Sequence, residues 1–221
     1  MSKDLFKNIK GVFFDLDGTL MDSMWLWKTI DIEYLQKFDI EYKEGLQEEI
    51  AGKSFHETAV LFKKLFNIED SIEKMKSDWN DMALYKYEHE VPLKKGAKQL
   101  LDLLKEKGIK VAIGTSNSVE LTKAALKANG LENYFDICLT GSEIINGKPD
   151  PYIYLECAKR SGLNPKDCLV FEDIVSGIKA GKNAGMKVVA IDDDFSFYER
   201  KEKIKLADLI IKDFTEVINE F

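Results

Sequence analysis

Two aspartates stand two residues apart at the end of an apolar run in GVFFDLDGTLMDS, Gly11 to Ser23. An apolar run without alternation fits a strand buried on both faces, so Asp15 and Asp17 fall where that strand ends. Three more polar clusters follow apolar runs: Thr115, Ser116 and Asn117 after KVAIG, Lys148 in GKPDP beyond DICLTG, and Glu172 with Asp173 after CLVF. Singly, each has an ordinary explanation, since aspartates cap helices and satisfy backbone donors, and most turn lysines are solvated. Together they bring carboxylates, hydroxyl and amide donors and an ammonium to one rim. Carboxylates so close repel one another unless a cation lies between them, and oxygen-only ligands point to Mg²⁺.

The elements that must position these groups are short apolar runs bounded by charge or turn residues: GVFFDLD, KVAIGTS, DICLTG, CLVFED, KVVAID and ADLIIKD. Amphipathic patterns lie between them. In GAKQLLDLLKEKG, Ala97, Leu100, Leu101 and Leu104 share one helical face and Gly108 marks the stop. SVELTKAALKANG closes similarly on Gly130, and SGIKAGKNAGM carries small residues where a helix must approach a sheet closely. Strand alternating with helix from about Pro92 onward predicts a right-handed, doubly wound, Rossmann-like parallel α/β layer. Ligands bind such sheets beyond the carboxyl ends of the strands, where all four clusters fall.

Met21 to Val91 has a different texture. Met24, Trp27, Ile30, Tyr34 and Phe38 recur at helical spacing, as do Phe55, Thr58, Phe62 and Leu65, and Ile72, Met75, Trp79 and Met82. Residues 1–20 and 92–221 therefore read as one α/β core, and 21–91 as an inserted α-helical cap whose aromatic stripes form its own core. The junctions at Leu20 to Ser23 and Val91 to Leu93 are the expected hinges of cap closure.

Composition narrows the function further. The 221 residues carry a formal charge of −7, which argues against a general nucleic-acid or anionic-membrane binder, because either needs a basic field. Cys138, Cys157 and Cys168 are odd in number and scattered, so they read as buried small hydrophobes rather than a disulfide framework. Neither a signal-peptide pattern nor a run of roughly 18 apolar residues occurs, so the expected location is the cytoplasm. GSEIINGKP has one residue too many for a P-loop, and Pro149 stands where a Ser or Thr is needed.

With order and spacing together, DLDGT, TSN, GKPDP and EDIVSGIKAGKNAGM resemble the four ordered motifs of the haloacid dehalogenase superfamily. The likeness spans nearly the whole chain, cap included, and in detail it resembles the β-phosphoglucomutase and phosphoglycolate phosphatase branch. It implies that Asp15 is a nucleophile forming an aspartyl-phosphate, and that Asp17 protonates the leaving alcohol and later takes a proton from water. It also implies Mg²⁺ on the Asp15 carboxylate, the Asp17 carbonyl and the Asp173 carboxylate, with Glu172 in support. Thr115, Ser116 and Asn117 would hold phosphoryl oxygens, and Lys148 would offset charge. The expected substrate is a small phosphorylated metabolite such as a sugar phosphate.

Three positions depart from the family pattern. Ile174 stands where many relatives carry a serine, and Phe55 and Ala51 stand where β-phosphoglucomutase-like sequences place basic residues that grip a second phosphate. Losing those grips favours hydrolysis over the alternative, a phosphosugar mutase. Lys53 or His56 could compensate.

Overall fold

The computed structural model describes residues 5–50, 55–144 and 146–219. Gly-Val-Phe-Phe forms β1 (Gly11–Phe14), buried at all four positions. The helices α1 (Met24–Gln36), α2 (Leu46–Ile50), α3 (Phe55–Phe66) and α4 (Ile72–His89) follow. Helix and strand then alternate through α5 (Ala97–Glu106), β2 (Lys110–Gly114), α6 (Val119–Ala128), β3 (Ile137–Leu139), α7 (Tyr152–Ser161) and β4 (Cys168–Glu172). The chain ends with α8 (Val175–Asn183), β5 (Lys187–Ile191), α9 (Arg200–Leu206), β6 (Leu209–Ile211) and α10 (Thr215–Ile218).

The strands form one parallel sheet in the order β3-β2-β1-β4-β5-β6, flanked by helices, which is the doubly wound arrangement expected from the alternation. β1 lies at its centre, and register decides what stands beside what. Phe14 pairs with Ile113 on β2 and with Phe171 on β4, so Asp15 comes level with Glu172 and with Gly114. Phe14 and Phe171 stack at 5.2 Å, and Phe214 meets both edge-on. Each such buried ring contributes about 2 kcal/mol by leaving water.

Local chemistry sets the helix ends. The Ser118 hydroxyl accepts from the Leu121 amide at the start of α6, and α5 runs out at Gly108, whose positive φ of 67° suits a residue without Cβ. The buried face of α5 is the expected Ala97, Leu100, Leu101 and Leu104. On α8, a Cβ at Gly181 would come within 2.7 Å of Val188, so the small residues do let this helix lie close to the sheet.

The chain divides into two compact units, Met1–Ser23 with Val91–Phe221, and Met24–Glu90. In the second, Trp79 of α4 meets Tyr34 of α1 edge-on at 5.5 Å and Phe62 of α3 at 5.0 Å. Leu65 is a correction to the expected stripe: it is 39% exposed, because the Phe66 ring packs on Phe62 and takes the inward place. Cys138 is another. It is exposed while Cys157 and Cys168 are buried, because β3 is an edge strand; all three are free thiols. Among the described residues no helix is long and apolar enough to cross a membrane.

Candidate active site

The strand ends build the site. Beyond Phe14 the Asp15 amide still donates to the Phe171 carbonyl at 3.0 Å, which keeps Asp15 in line with the sheet. The backbone then turns sharply. Gly18 takes a φ of +77°, and its amide reaches the Met21 carbonyl at 3.0 Å and the Ser23 hydroxyl at 3.3 Å. This turn sends the two aspartates to different partners. The Asp17 carboxylate accepts from Ser23 Oγ at 2.8 Å and from Asn117 Nδ2 at 2.9 Å. The Asp15 carboxylate meets Lys148.

Lys148 Nζ also lies 2.6 Å from Glu172 Oε1, which accepts from the Tyr154 hydroxyl at 2.6 Å. Glu172 Oε2 accepts from the Asp173 amide at 3.2 Å. Glu172 is therefore spent on three donors and lies against α8 where a Cβ at Gly177 would collide with its carboxylate. Asp173 is held at Oδ1 by the Thr19 hydroxyl at 3.2 Å, whereas its buried Oδ2 has no hydrogen-bond partner.

Asp15, Glu172 and Asp173 are 7%, 0% and 1% exposed, so water does not screen them. Burial pushes the Asp15 carboxyl up to about 8; Lys148 opposes the shift, and Glu172 and Asp17 reinforce it. Burial, followed by Asp15 and Glu172, raises Asp173 well above the carboxylate range. Burial alone would lower Lys148, but Asp15 and Glu172 outweigh it and hold the ammonium above its ordinary value.

This arrangement fits a divalent cation. Asp15, Glu172 and Asp173 each offer a carboxylate oxygen, all within 4.8 Å of one another. One ammonium touches two of these three carboxylates, which leaves a deficit of two charges when all are ionised. The orphaned Asp173 oxygen supplies an unused hard donor for an ion such as Mg²⁺.

The loop after β2 places Thr115 buried, with its hydroxyl accepting from the Asn117 amide at 3.1 Å. Ser116 is exposed on the same loop. Asn117 gives its side-chain amide to Asp17.

Residues 12–191 match the family model of haloacid dehalogenase-like hydrolases. The chain belongs to that family. This hydrolase is similar to a phosphorylated carbohydrates phosphatase of Thermotoga maritima, 32% identical over 179 residues that cover 81% of the chain and 83% of the relative. It superposes on a crystal structure of HAD hydrolase, family IA, variant 3, from Entamoeba histolytica with a TM-score of 0.80 at 26% identity, covering 94% of this chain and 95% of that one. It also shares the fold of a Clostridium difficile β-phosphoglucomutase, with a TM-score of 0.74 at 22% identity and 96% of each chain covered.

Several residues around the hydrolase site carried no signal in the motifs. Tyr154 lies on the buried face of α7, and its hydroxyl reaches Glu172. Thr19 stands inside the first motif and reaches Asp173, 154 residues on. At Ile174 no side chain caps α8; instead Glu199 Oε2 accepts from the Val175 amide at 2.8 Å. Ala51 and Lys53, and the side chain of Phe55, lie outside the described residues, and His56 is exposed.

Proposed function

We propose that this hydrolase is a Mg²⁺-dependent phosphatase of small phosphorylated carbohydrates, working through an aspartyl-phosphate on Asp15. One observation carries the reading: a carboxylate, Asp15, is buried against an ammonium and beside two further acids, while a second carboxylate two residues away is turned to neutral donors. The carbohydrate class is suggested by the Thermotoga phosphatase.

Asp15 and Asp173 would hold the cation, with the Asp17 carbonyl as a third ligand. When bound, Mg²⁺ supplies the positive charge that lets an anionic nucleophile approach an anionic phosphoryl group. Asp15 attacks phosphorus as the bond to the leaving alcohol oxygen breaks, and Lys148 keeps the nucleophile ionised and faces the charge on the transferring group. Asp17 gives its proton to the departing oxygen. Fixed by Ser23 and Asn117, the same carboxylate then takes a proton from the water that attacks the aspartyl-phosphate, releasing phosphate and restoring Asp15. Thr115 and Ser116 lie on the neighbouring loop, where hydroxyl donors serve phosphoryl oxygens.

The test is an acid quench during turnover of a sugar-phosphate panel, with mass analysis of the peptide that holds Asp15. A phosphate adduct on Asp15, lost in Asp15→Asn together with Mg²⁺-dependent phosphate release, is the expected result. Turnover that persists in Asp15→Asn overturns the reading. Isomerised sugar phosphate formed only with a sugar bisphosphate primer would replace the phosphatase by a mutase.

A further inference from the structure

The stretch Asp192 to Leu206 contains none of the four motifs, yet it meets the Glu172–Asp173 loop at two points. Ser196 Oγ lies 3.2 Å from the Asp173 carbonyl oxygen, and Glu199 takes up the Val175 amide that no side chain at Ile174 caps. Behind Ser196 sits Lys203, a fully buried lysine whose Nζ reaches Ser196 Oγ at 2.6 Å and the Ile191 carbonyl at 3.3 Å. Buried lysines are rare and ordinarily neutralised by direct carboxylate contact. Two acidic neighbours are engaged elsewhere, Asp192 with Arg200 at 2.8 Å and Asp193 with Lys94, while the ammonium acts through space on Asp173 and Glu199.

The direction of these bonds matters. An ammonium only donates, so Ser196 must accept from Lys203 and spend its single proton on a carbonyl, either Asp173 at 3.2 Å or Asp193 at 3.3 Å. With the shorter of these two contacts made, Asp173 is held at its amide by Glu172, at its carbonyl by Ser196 and at Oδ1 by Thr19, and Oδ2 alone is left over.

We propose that Ser196, oriented by Lys203, is a positioning residue that holds Asp173 so that its remaining oxygen is kept for the cation. The inference rests on the reading of Asp173 as a metal ligand. Outer contacts of this kind typically change metal affinity by about tenfold or more when removed.

The test is Mn²⁺ binding followed by electron paramagnetic resonance on the whole enzyme, with thermal unfolding of the metal-free protein measured in parallel. Ser196→Ala is expected to weaken Mn²⁺ binding about tenfold while the metal-free midpoint moves by no more than a few degrees. Lys203→Met is expected to weaken binding at least as much and to add little in the Ser196→Ala background, as coupled residues do. Unchanged Mn²⁺ affinity in Ser196→Ala overturns the proposal, and so does a loss matched by proportionate loss of metal-free stability. Ser196→Ala decides the matter even if Lys203→Met does not fold. Asp173→Asn is the control: if it still binds Mn²⁺ as the parent does, the metal reading itself fails, whereas its loss alone with Ser196→Ala unchanged removes only this inference.

Discussion

Asp15 with Asp17 at the end of β1, and Glu172 with Asp173 at the end of β4, are two acidic pairs that register sets side by side, yet the chain treats their members differently. In the first pair a two-residue spacing and the Gly18 turn separate the carboxylates: Asp15 faces Lys148, and Asp17 faces Ser23 and Asn117. In the second pair the residues are adjacent, and the split is made by donors. Glu172 takes three of them, and Asp173 Oδ2 takes none. Chemically alike groups thus acquire different surroundings, one anchored, one with a free oxygen, one facing an ammonium and one facing neutral donors, and the proposed mechanism gives each a separate task.

The sharpest way to break the comparison is within the first pair. Asp15→Asn should lower kcat by at least about 10⁴-fold on every substrate, since the proposed attack on phosphorus loses its nucleophile. Asp17→Asn should lower it about 10²- to 10⁴-fold on a sugar phosphate and less on p-nitrophenyl phosphate, whose leaving group needs little protonation. Steady-state rates on both substrates check this. Equal losses in the two variants regardless of leaving group would remove the division of roles.

Lys148 joins the two pairs, so Lys148→Met tests them together. It strips the ammonium from two buried carboxylates and should cost about 3 kcal/mol of stability, together with roughly 10²- to 10³-fold in kcat. Denaturant unfolding in the presence of a chelator reads the first and phosphate release the second. A variant as stable as the parent would mean that Asp15 and Glu172 do not need this counter-charge.

How much of this was legible beforehand depends on the range of the interaction. The four inner strands show in the sequence because residues buried on both faces must be apolar in an unbroken run, as in Val12 to Phe14 or Leu169 to Phe171. Acidic and hydroxyl clusters directly after such runs are equally visible, since the strand itself carries them to the rim. Supports that act across the chain leave no local mark. Tyr154 fits the apolar face of α7, and Lys203 looks like one more lysine in a charged stretch until Ser196 is found beside it. Cys138 and Leu65 show the reverse failure: apolar character predicted burial, but an edge strand and a neighbouring phenylalanine decided exposure.

The raised carboxyls give the comparison a pH dependence. Asp15, held near 8 without a cation against an ordinary value of 3.8, favours the fold in its protonated form. That contribution is complete below pH 3.8 and is lost as pH climbs through about 8, and Asp173 shifts in the same sense. A divalent ion needs the ionised forms and releases their protons on binding. The gain in thermal midpoint from added Mg²⁺ should therefore grow from about pH 5 to about pH 9, read by melting curves with Mg²⁺ and with chelator. A gain that is flat across this range would separate the carboxyls from the metal.

The smallest expected effect falls on the anchoring acid. Tyr154→Phe removes one oxygen and leaves the ring that lies 5.4 Å from the Lys148 ammonium. Glu172 Oε1 then keeps only Lys148, and the lost bond to a charged acceptor should cost about 1 to 3 kcal/mol in unfolding. With Glu172 drawing harder on the shared ammonium, Asp15 loses part of its counter-charge, so kcat should fall by about tenfold or less. If stability falls and the rate does not, Tyr154 only fills the fold; if the rate falls as well, the Tyr154–Glu172–Lys148 chain reaches the nucleophile.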